Sequence, residues 1–86
     1  MTMPSRAELS TLVRTKVAEV LGTPVEEIDE STNLEVGYQI DSLELMEIGA
    51  RLEAALGIRL DLRELIGVET VGQATDLLTR RLEAQP

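Results

Sequence analysis

The residues able to do chemistry in this chain carry hydroxyls and carboxylates, because its 86 residues include no cysteine and no histidine. That composition removes thiol nucleophiles and disulfides, together with the commonest general base and metal ligand. Among the hydroxyls, Ser42 lies in the tripeptide Asp41-Ser42-Leu43, where the spacing of apolar residues predicts that a helix begins. A serine at an exposed helix start presents a nucleophilic oxygen, and the first-turn N–H groups there favour an anion. The same tripeptide is also typical of a plain helix start, with Asp41 as the N-cap.

The carboxylates of Asp41 and Glu44 form the other candidate, since paired carboxylates suit general acid and base catalysis. They are three residues apart, and so lie one helical turn apart on a surface that the pattern leaves open. A site of that kind has no pocket or lid to exclude water. The acidic residues also lack the spacing of a calcium-binding loop. The sequence therefore predicts neither catalytic residues nor a metal site.

Four helices are predicted to position these residues, because apolar residues recur at helical spacing in four segments. Capping-box patterns mark three of the beginnings, and a glycine follows three of the ends. The predicted helices cover residues 5–21, 41–56, 61–66 and 70–82. The fold class that follows is all-α, a bundle of three main helices and one short helix.

Residues 22–40 lack a sustained period, so a long loop is predicted between the first two helices. A loop of this length in a compact domain is expected to be functional or held to the core. A short helical turn is expected near Glu26–Ile28. The apolar residues expected to hold the loop are Val25, Ile28, Leu34 and Val36. Ile58–Leu60 is predicted to be a connector and not a strand, because no neighbouring segment offers a pairing partner.

The composition predicts one soluble domain, residues 1–86, with an aliphatic core. Hydrophobic residues make up 43% of the chain, but Tyr38 is its one aromatic residue. A net charge of −8, from 16 acidic and 8 basic residues, repels nucleic acid and anionic membranes. The sequence shows no apolar run of membrane-spanning length and no signal peptide. We therefore expect a cytoplasmic protein that acts as a monomer, with no nucleic-acid or membrane partner.

The chain from about Leu9 to Leu82 resembles the acyl carrier protein family, in which Asp-Ser-Leu begins the second helix. The other matching features are Leu21-Gly22, Glu26-Glu27-Ile28, Leu34, Glu44, Glu47, Leu56 and Thr70-Val71. The resemblance implies a four-helix acyl-carrier-like bundle. It also implies that Ser42, flanked by Asp41 and Leu43, takes a 4′-phosphopantetheine arm from coenzyme A through a separate phosphopantetheinyl transferase. The arm would supply the thiol that the chain lacks, so the protein itself need not be an enzyme.

The residues at positions 38 and 39 depart from the family pattern. Many members have Leu-Gly just ahead of Asp-Ser-Leu, and this chain has Tyr38-Gln39. The missing glycine leaves the conformation of the loop open, although the attachment serine remains. The Gly-Gly pair typical of peptidyl carriers is absent as well, which favours acyl cargo. For Tyr38 we expect a ring packed on the protein and a hydroxyl in water, and a contact with cargo or a partner is the alternative.

Acidic residues surround Ser42 in the sequence, because no lysine or arginine occurs between Val17 and Ala50. That stretch contains nine acidic residues: Glu19, Glu26, Glu27, Asp29, Glu30, Glu35, Asp41, Glu44 and Glu47. The surface is either a solvated face or a docking face for basic patches on partner enzymes. The residues predicted to contact partners are Leu43, Glu44, Met46, Glu47, Ala50 and Glu53. Leu43 and Met46 are expected to point outward, because other residues of the helix already supply its core stripe.

The predicted function is a free-standing carrier that holds biosynthetic intermediates as thioesters, in polyketide or related specialised metabolism. Its expected partners are the transferase and an acyltransferase, ketosynthase or adenylating enzyme with a basic docking patch. Fatty-acid synthesis and aminoacyl or peptidyl carriers are the alternatives within the class. An acidic helical module that binds proteins without carrying cargo is the alternative outside it, and modification of Ser42 separates the two.

Overall fold

The computed structural model describes residues 3–84, which form five α-helices and one turn of 3₁₀ helix. In chain order these are α1 (Arg6–Leu21), the 3₁₀ turn (Val25–Glu27), α2 (Leu34–Tyr38), α3 (Ser42–Leu56), α4 (Leu62–Ile66) and α5 (Val71–Glu83). Within this part of the chain no strand forms, and the strand-like contact is an isolated antiparallel bridge between Asn33 and Thr70. The all-α prediction is therefore confirmed.

Reciprocal capping contacts define where the long helices begin. At α3, Asp41 Oδ1 accepts a hydrogen bond from the Glu44 N–H at 2.8 Å, and Glu44 Oε1 accepts one from the Asp41 N–H at 3.1 Å. α1 and α5 begin with the same arrangement at Ser5 and Thr70. Glycines in the left-handed conformation follow α1 and α3. Because these signals are local in sequence, the bounds of all four predicted helices agree with the structure to within one residue.

α1 is the central helix, because it packs against both α3 and α5, while α4 packs against α3. The buried core is aliphatic, as predicted. Its members are Leu9, Val13, Val17, Ala18, Ile28, Leu34, Ile48, Leu52, Ile58, Val71, Ala74 and Leu78. Tyr38 is half-buried and packs its ring at the edge of this core. None of the helices within residues 3–84 is long and apolar enough to cross a membrane.

The connection between α1 and α3 is more ordered than predicted, because it contains α2. Asn33 caps this five-residue helix, and its Oδ1 accepts the Val36 N–H at 2.8 Å. A helix this short shows no apolar period, so its sequence cannot be told from that of a loop. The expected helical turn is present at Val25–Glu27. Ile28 and Leu34 are buried as expected, but Val36 is 80% exposed, so the prediction that it holds the loop is wrong.

Backbone hydrogen bonds attach this connection to the N-terminus of α5. The N–H of Val71 donates to the carbonyl of Thr32 at 3.2 Å, and the N–H of Gly72 donates to that of Glu30 at 2.9 Å. A third bond runs in the other direction, from the first N–H of α2 to the carbonyl of Glu69 at 2.9 Å. First-turn N–H groups have no partner within their own helix. The connection therefore supplies acceptors that α5 lacks, and becomes ordered by doing so.

An ion-pair network reinforces this attachment at the surface. Arg6 donates through Nη1 to Glu30 Oε1 and through Nη2 to Asp76 Oδ1, both at 2.8 Å. The hydrogen bond from Arg6 lowers the pKa of Glu30, and the bonds to Asp76 and Glu30 raise the pKa of Arg6. All three side chains are largely exposed, so solvent screens the pairs. The network is a weak link that joins the start of α1, the connection and α5.

A side chain at position 72 should loosen the attachment of the connection. A Cβ at Gly72 would lie 3.1 Å from the carbonyl oxygen of Glu30, the same atom that accepts the Gly72 N–H. We expect Gly72→Val to lower the free energy of unfolding by about 1–3 kcal/mol, as overpacking does. Gly37→Val is the matched control, because a Cβ at Gly37 meets no atom within 4 Å. Urea denaturation followed by circular dichroism measures both, and equal losses would contradict this role of the connection.

Candidate functional site around Ser42

Ser42 is the first residue of α3, and its side chain is exposed. The capping box occupies the N–H groups of Asp41 and Glu44. The N–H groups of Ser42 and Leu43 are the other donors at this helix start, and they find no acceptor among residues 3–84. Within the same range no hydrogen bond forms to the Ser42 hydroxyl. The site therefore presents an unoccupied hydroxyl beside two unoccupied N–H donors.

The residues ahead of Asp41 take their conformation from the end of α2. Gln39 is left-handed, with φ 51°, and donates its N–H to the Glu35 carbonyl at 3.0 Å. The Ile40 N–H donates to the carbonyl of Leu34 at 3.2 Å, and Leu34 is buried in the core. Gln39 stands where the acyl carrier pattern has glycine, and the backbone keeps the glycine-like conformation at a cost of roughly 1–2 kcal/mol. Gln39 and Ile40, which lead to the serine, are therefore held to α2 by hydrogen bonds although the family's glycine is absent.

A groove of about 150 Å³ opens beside the serine between α2, α3 and α4. Its lining residues are Glu35, Ile40, Asp41, Ser42, Leu45, Ile66 and Val68. Ile66 is 65% exposed and was not among the predicted site residues. The sequence does contain a sign that Ile66 belongs to an apolar face of α4, because Leu62 and Ile66 are four residues apart and share a face of the helix. Leu65 between them points into the protein and is buried.

Large exposed apolar side chains are concentrated near this groove. Leu43 and Met46 point outward, with 76% and 47% of their surfaces exposed, and Ala50 is exposed one turn further along α3. Apart from Met3, the large exposed apolar residues within residues 3–84 all lie on α2, α3 and α4: Val36, Leu43, Met46, Leu62 and Ile66. We refer to these five residues as the apolar ring. Contact between the ring and a partner stays a prediction.

The structure uses the three predicted docking acids of α3 differently. Glu47 is exposed and forms no ion pair within residues 3–84. Glu44 is half-buried, and its carboxylate is occupied by the capping box. Glu53 is also half-buried, and its Oε2 accepts the Leu60 N–H at 2.7 Å, which holds the connector that leads to α4. Glu47 is therefore the acid of α3 best placed to meet a partner.

Two other acids of the cation-free stretch are paired with cations from outside it. Glu19 lies 3.5 Å from Lys16 and 3.0 Å from Arg51, and Glu30 lies 2.8 Å from Arg6. The pairs with Arg51 and Arg6 bring together residues far apart in sequence, so the spacing of charges could not reveal them. The acidic surface is therefore smaller than its nine residues suggest.

Substitution of Gln39 should expose the strain in the approach to the serine. Gln39→Gly removes the strain of a Cβ in the left-handed region, but it also raises the conformational entropy of the unfolded chain. The two effects oppose each other, so its free energy of unfolding should stay within about 1 kcal/mol of wild type. Gln39→Val should be less stable by about 1–3 kcal/mol, because a β-branched residue is poorly accommodated in the left-handed region. Thermal unfolding followed by circular dichroism compares the two variants. Equal stability of Gln39→Val and Gln39→Gly would contradict the left-handed conformation.

The comparison with known families agrees with this geometry. A family model for the phosphopantetheine attachment site matches residues 11–78. The structure fits that group at Ser42, because an exposed and unbonded hydroxyl can accept a covalent phosphodiester. The adjacent N–H groups of Ser42 and Leu43 suit its negative charge.

Individual relatives lead to the same family. The chain is 38% identical over 72 residues to an acyl carrier protein of Saccharopolyspora erythraea, covering 84% of this chain and 76% of the relative. It is 34% identical over 70 residues to "Polyketide-8 synthase acyl carrier protein 2" of Streptomyces avermitilis, with coverage of 81% and 80%. An acyl carrier protein of Thermotoga maritima is 28% identical over 80 residues, with coverage of 93% and 99%. The chain therefore belongs to the acyl carrier protein family, whose members are non-catalytic carriers of a phosphopantetheine arm.

Proposed function

We propose that this carrier holds biosynthetic intermediates as thioesters on a 4′-phosphopantetheine arm attached to the Oγ of Ser42. The observation that carries the proposal is the state of its four serines. Ser5 caps α1, Ser10 is buried, and the Ser31 hydroxyl donates to Asp29 at 2.6 Å. Within residues 3–84, Ser42 alone among the serines combines exposure with an unoccupied hydroxyl.

The chain's own part in this chemistry is to present the hydroxyl. The arm supplies the thiol that carries cargo, since the chain encodes no cysteine. The capping box keeps the first turn of α3 formed, so the Ser42 hydroxyl and the neighbouring N–H groups are held together. Those N–H groups favour the negative charge of a phosphodiester at Ser42. Transfer of the arm from coenzyme A forms a bond between the Ser42 Oγ and phosphorus and breaks the diphosphate bond of coenzyme A, so that adenosine 3′,5′-bisphosphate leaves. The separate transferase supplies the base that takes up the hydroxyl proton.

We place the carrier in polyketide or related specialised metabolism, which the likeness to a carrier named for a polyketide synthase supports. Its partners are then the transferase and a ketosynthase or acyltransferase with a basic docking patch. A carrier of fatty-acid synthesis or of aminoacyl groups is the alternative, and loading by purified enzymes of each class distinguishes them. Family membership favours all of these over an acidic interaction module without cargo.

Ser42→Ala should abolish attachment of the arm. Incubation of the wild-type protein with coenzyme A and a broad-specificity phosphopantetheinyl transferase should add one phosphopantetheine, measured by intact mass. Ser42→Ala should gain no mass and keep its helical circular dichroism spectrum, because Asp41 still caps α3. Ser31→Ala is the control, and should be modified like the wild type. A modified Ser42→Ala protein, or a wild type that is never modified, would refute attachment at Ser42.

Charge reversal at Glu47 should slow attachment of the arm without disturbing the helix. Glu47 belongs to no capping box or ion pair within residues 3–84, whereas Glu44 caps α3. Exposed charge contacts contribute about 0.2–1 kcal/mol, and reversal replaces attraction by repulsion. We therefore expect Glu47→Lys to lower kcat/KM of the transferase several-fold at low salt, with a smaller loss at high salt.

Glu83→Lys supplies the control for that measurement, since it makes the same charge change at the exposed end of α5. Leu43→Ala should also slow the reaction, but with little dependence on salt, because its contribution is apolar burial. If Glu47→Lys reacts as fast as Glu83→Lys at low salt, α3 does not dock through its acids.

A further inference from the structure

α4 packs closely against α3, so the exposed surfaces of the two helices are adjacent. A Cβ at Gly49 would come within 2.6 Å of Leu65 Cδ1, so the absence of a side chain at Gly49 permits this close approach. A groove of about 220 Å³ runs between the helices, with Met46 on one side and Leu62 on the other. Ile66, one turn after Leu62, lines the groove beside Ser42. Three members of the apolar ring therefore line these two neighbouring grooves, one of which contains Ser42.

The elements that border the two grooves differ in charge. α2 and α3 carry Glu35 and Glu47, both exposed, together with the capping acids. Arg59, in the connector, and Arg63, on α4, each stand next in sequence to a residue that lines the groove between α3 and α4, Leu60 or Leu62. Both arginines are exposed, and neither lies within 4 Å of a carboxylate among residues 3–84. They alternate in sequence with the apolar residues that line the groove.

The other charges near α4 do not cancel these two arginines. Glu64 is paired with Arg81 from α5. Asp61, at the N-cap of α4, is exposed and offsets one of the two positive charges, so the segment from Arg59 to Arg63 keeps a net positive charge. Arg51 is the one basic residue of α3, and it is paired with Glu19. Arg59 and Arg63 are therefore the cations on this side that are available to an incoming partner.

We propose that the connector and α4 form a cationic half of the docking surface, which contacts an acidic patch on the same enzyme whose basic patch contacts α3. This inference rests on the proposed attachment at Ser42. The partner that fits has an apolar centre, a basic side facing Glu47 and an acidic side facing Arg59 and Arg63. Charges of one sign attract a partner in any rotation about Ser42, whereas two opposed sides select one rotation.

The size of a docked enzyme supports contact with both sides. A specific interface buries roughly 800 Å² on each partner, more than a tenth of the 5369 Å² surface of the described chain. A patch of that size centred on Ser42 must extend across the neighbouring helices, because the chain is only 36 × 26 × 19 Å in its principal dimensions. Such a patch includes the connector and α4, the elements that carry Arg59 and Arg63.

The sign of a charge-reversal effect tests the proposal. The double variant Arg59→Glu with Arg63→Glu makes the protein more acidic, so a uniformly basic partner would react with it faster. We expect the opposite: kcat/KM for attachment of the arm by the transferase should fall several-fold at low salt and recover at high salt. Glu47→Lys changes the net charge in the other direction, yet should slow the same reaction.

The control is Arg14→Glu with Arg80→Glu, which makes an equal charge change on α1 and α5, outside the apolar ring. It should react as fast as the wild type or faster. Circular dichroism confirms that each variant is folded. If the Arg59/Arg63 variant reacts as fast as this control, the cationic half is refuted. Complete conversion at Ser42 at the end point would still support attachment there, whereas an unmodified wild type would refute the attachment itself.

Discussion

The first turn of α5 has backbone N–H groups that its own helix cannot satisfy, and the connection between α1 and α3 accepts two of them. Those bonds reach the carbonyls of Glu30 and Thr32, and a Cβ at Gly72 would crowd the Glu30 carbonyl oxygen at 3.1 Å. The connection is held at its middle by this contact and at Leu34 by burial in the core. Because Leu34 is fixed in the core, it also fixes the start of the segment that leads to the serine. That segment consists of α2, the left-handed Gln39 and the cap of α3. Contacts with α5 thus help to position Ser42, together with the packing of α3 against α1.

A chain of this length places its chemistry on the surface because its core is thin. A domain of such a size buries roughly 60% of the surface of its unfolded chain, and the interior is filled by aliphatic side chains. The spaces beside α4 are open grooves of a few hundred cubic ångströms or less. Carriage on an external arm suits these limits, since the proposed role requires of the protein only an exposed hydroxyl and a surface for docking.

The parts of the fold that the sequence predicts are those determined by neighbours in sequence. The capping boxes at Ser5, Asp41 and Thr70 bring together residues three apart, and they define the helices that position Ser42. The missed features depend on distant contacts. α2 exists because Asn33 caps it and its first N–H bonds to Glu69, and no short-range pattern signals either the helix or the exposure of Val36.

The same distinction applies to the charges around the site. In sequence, the stretch around Ser42 contains acidic residues and no lysine or arginine, which predicts a negative surface that is either solvated or a docking face. Folding pairs Glu19 and Glu30 with cations outside the acidic stretch, and the connector and α4 carry two arginines that form no ion pair within residues 3–84. A carrier must meet several enzymes and leave each one quickly, so exposed charges of modest strength suit it better than a buried interface. Opposite charges on two sides of the serine add orientation to these encounters without requiring tight binding.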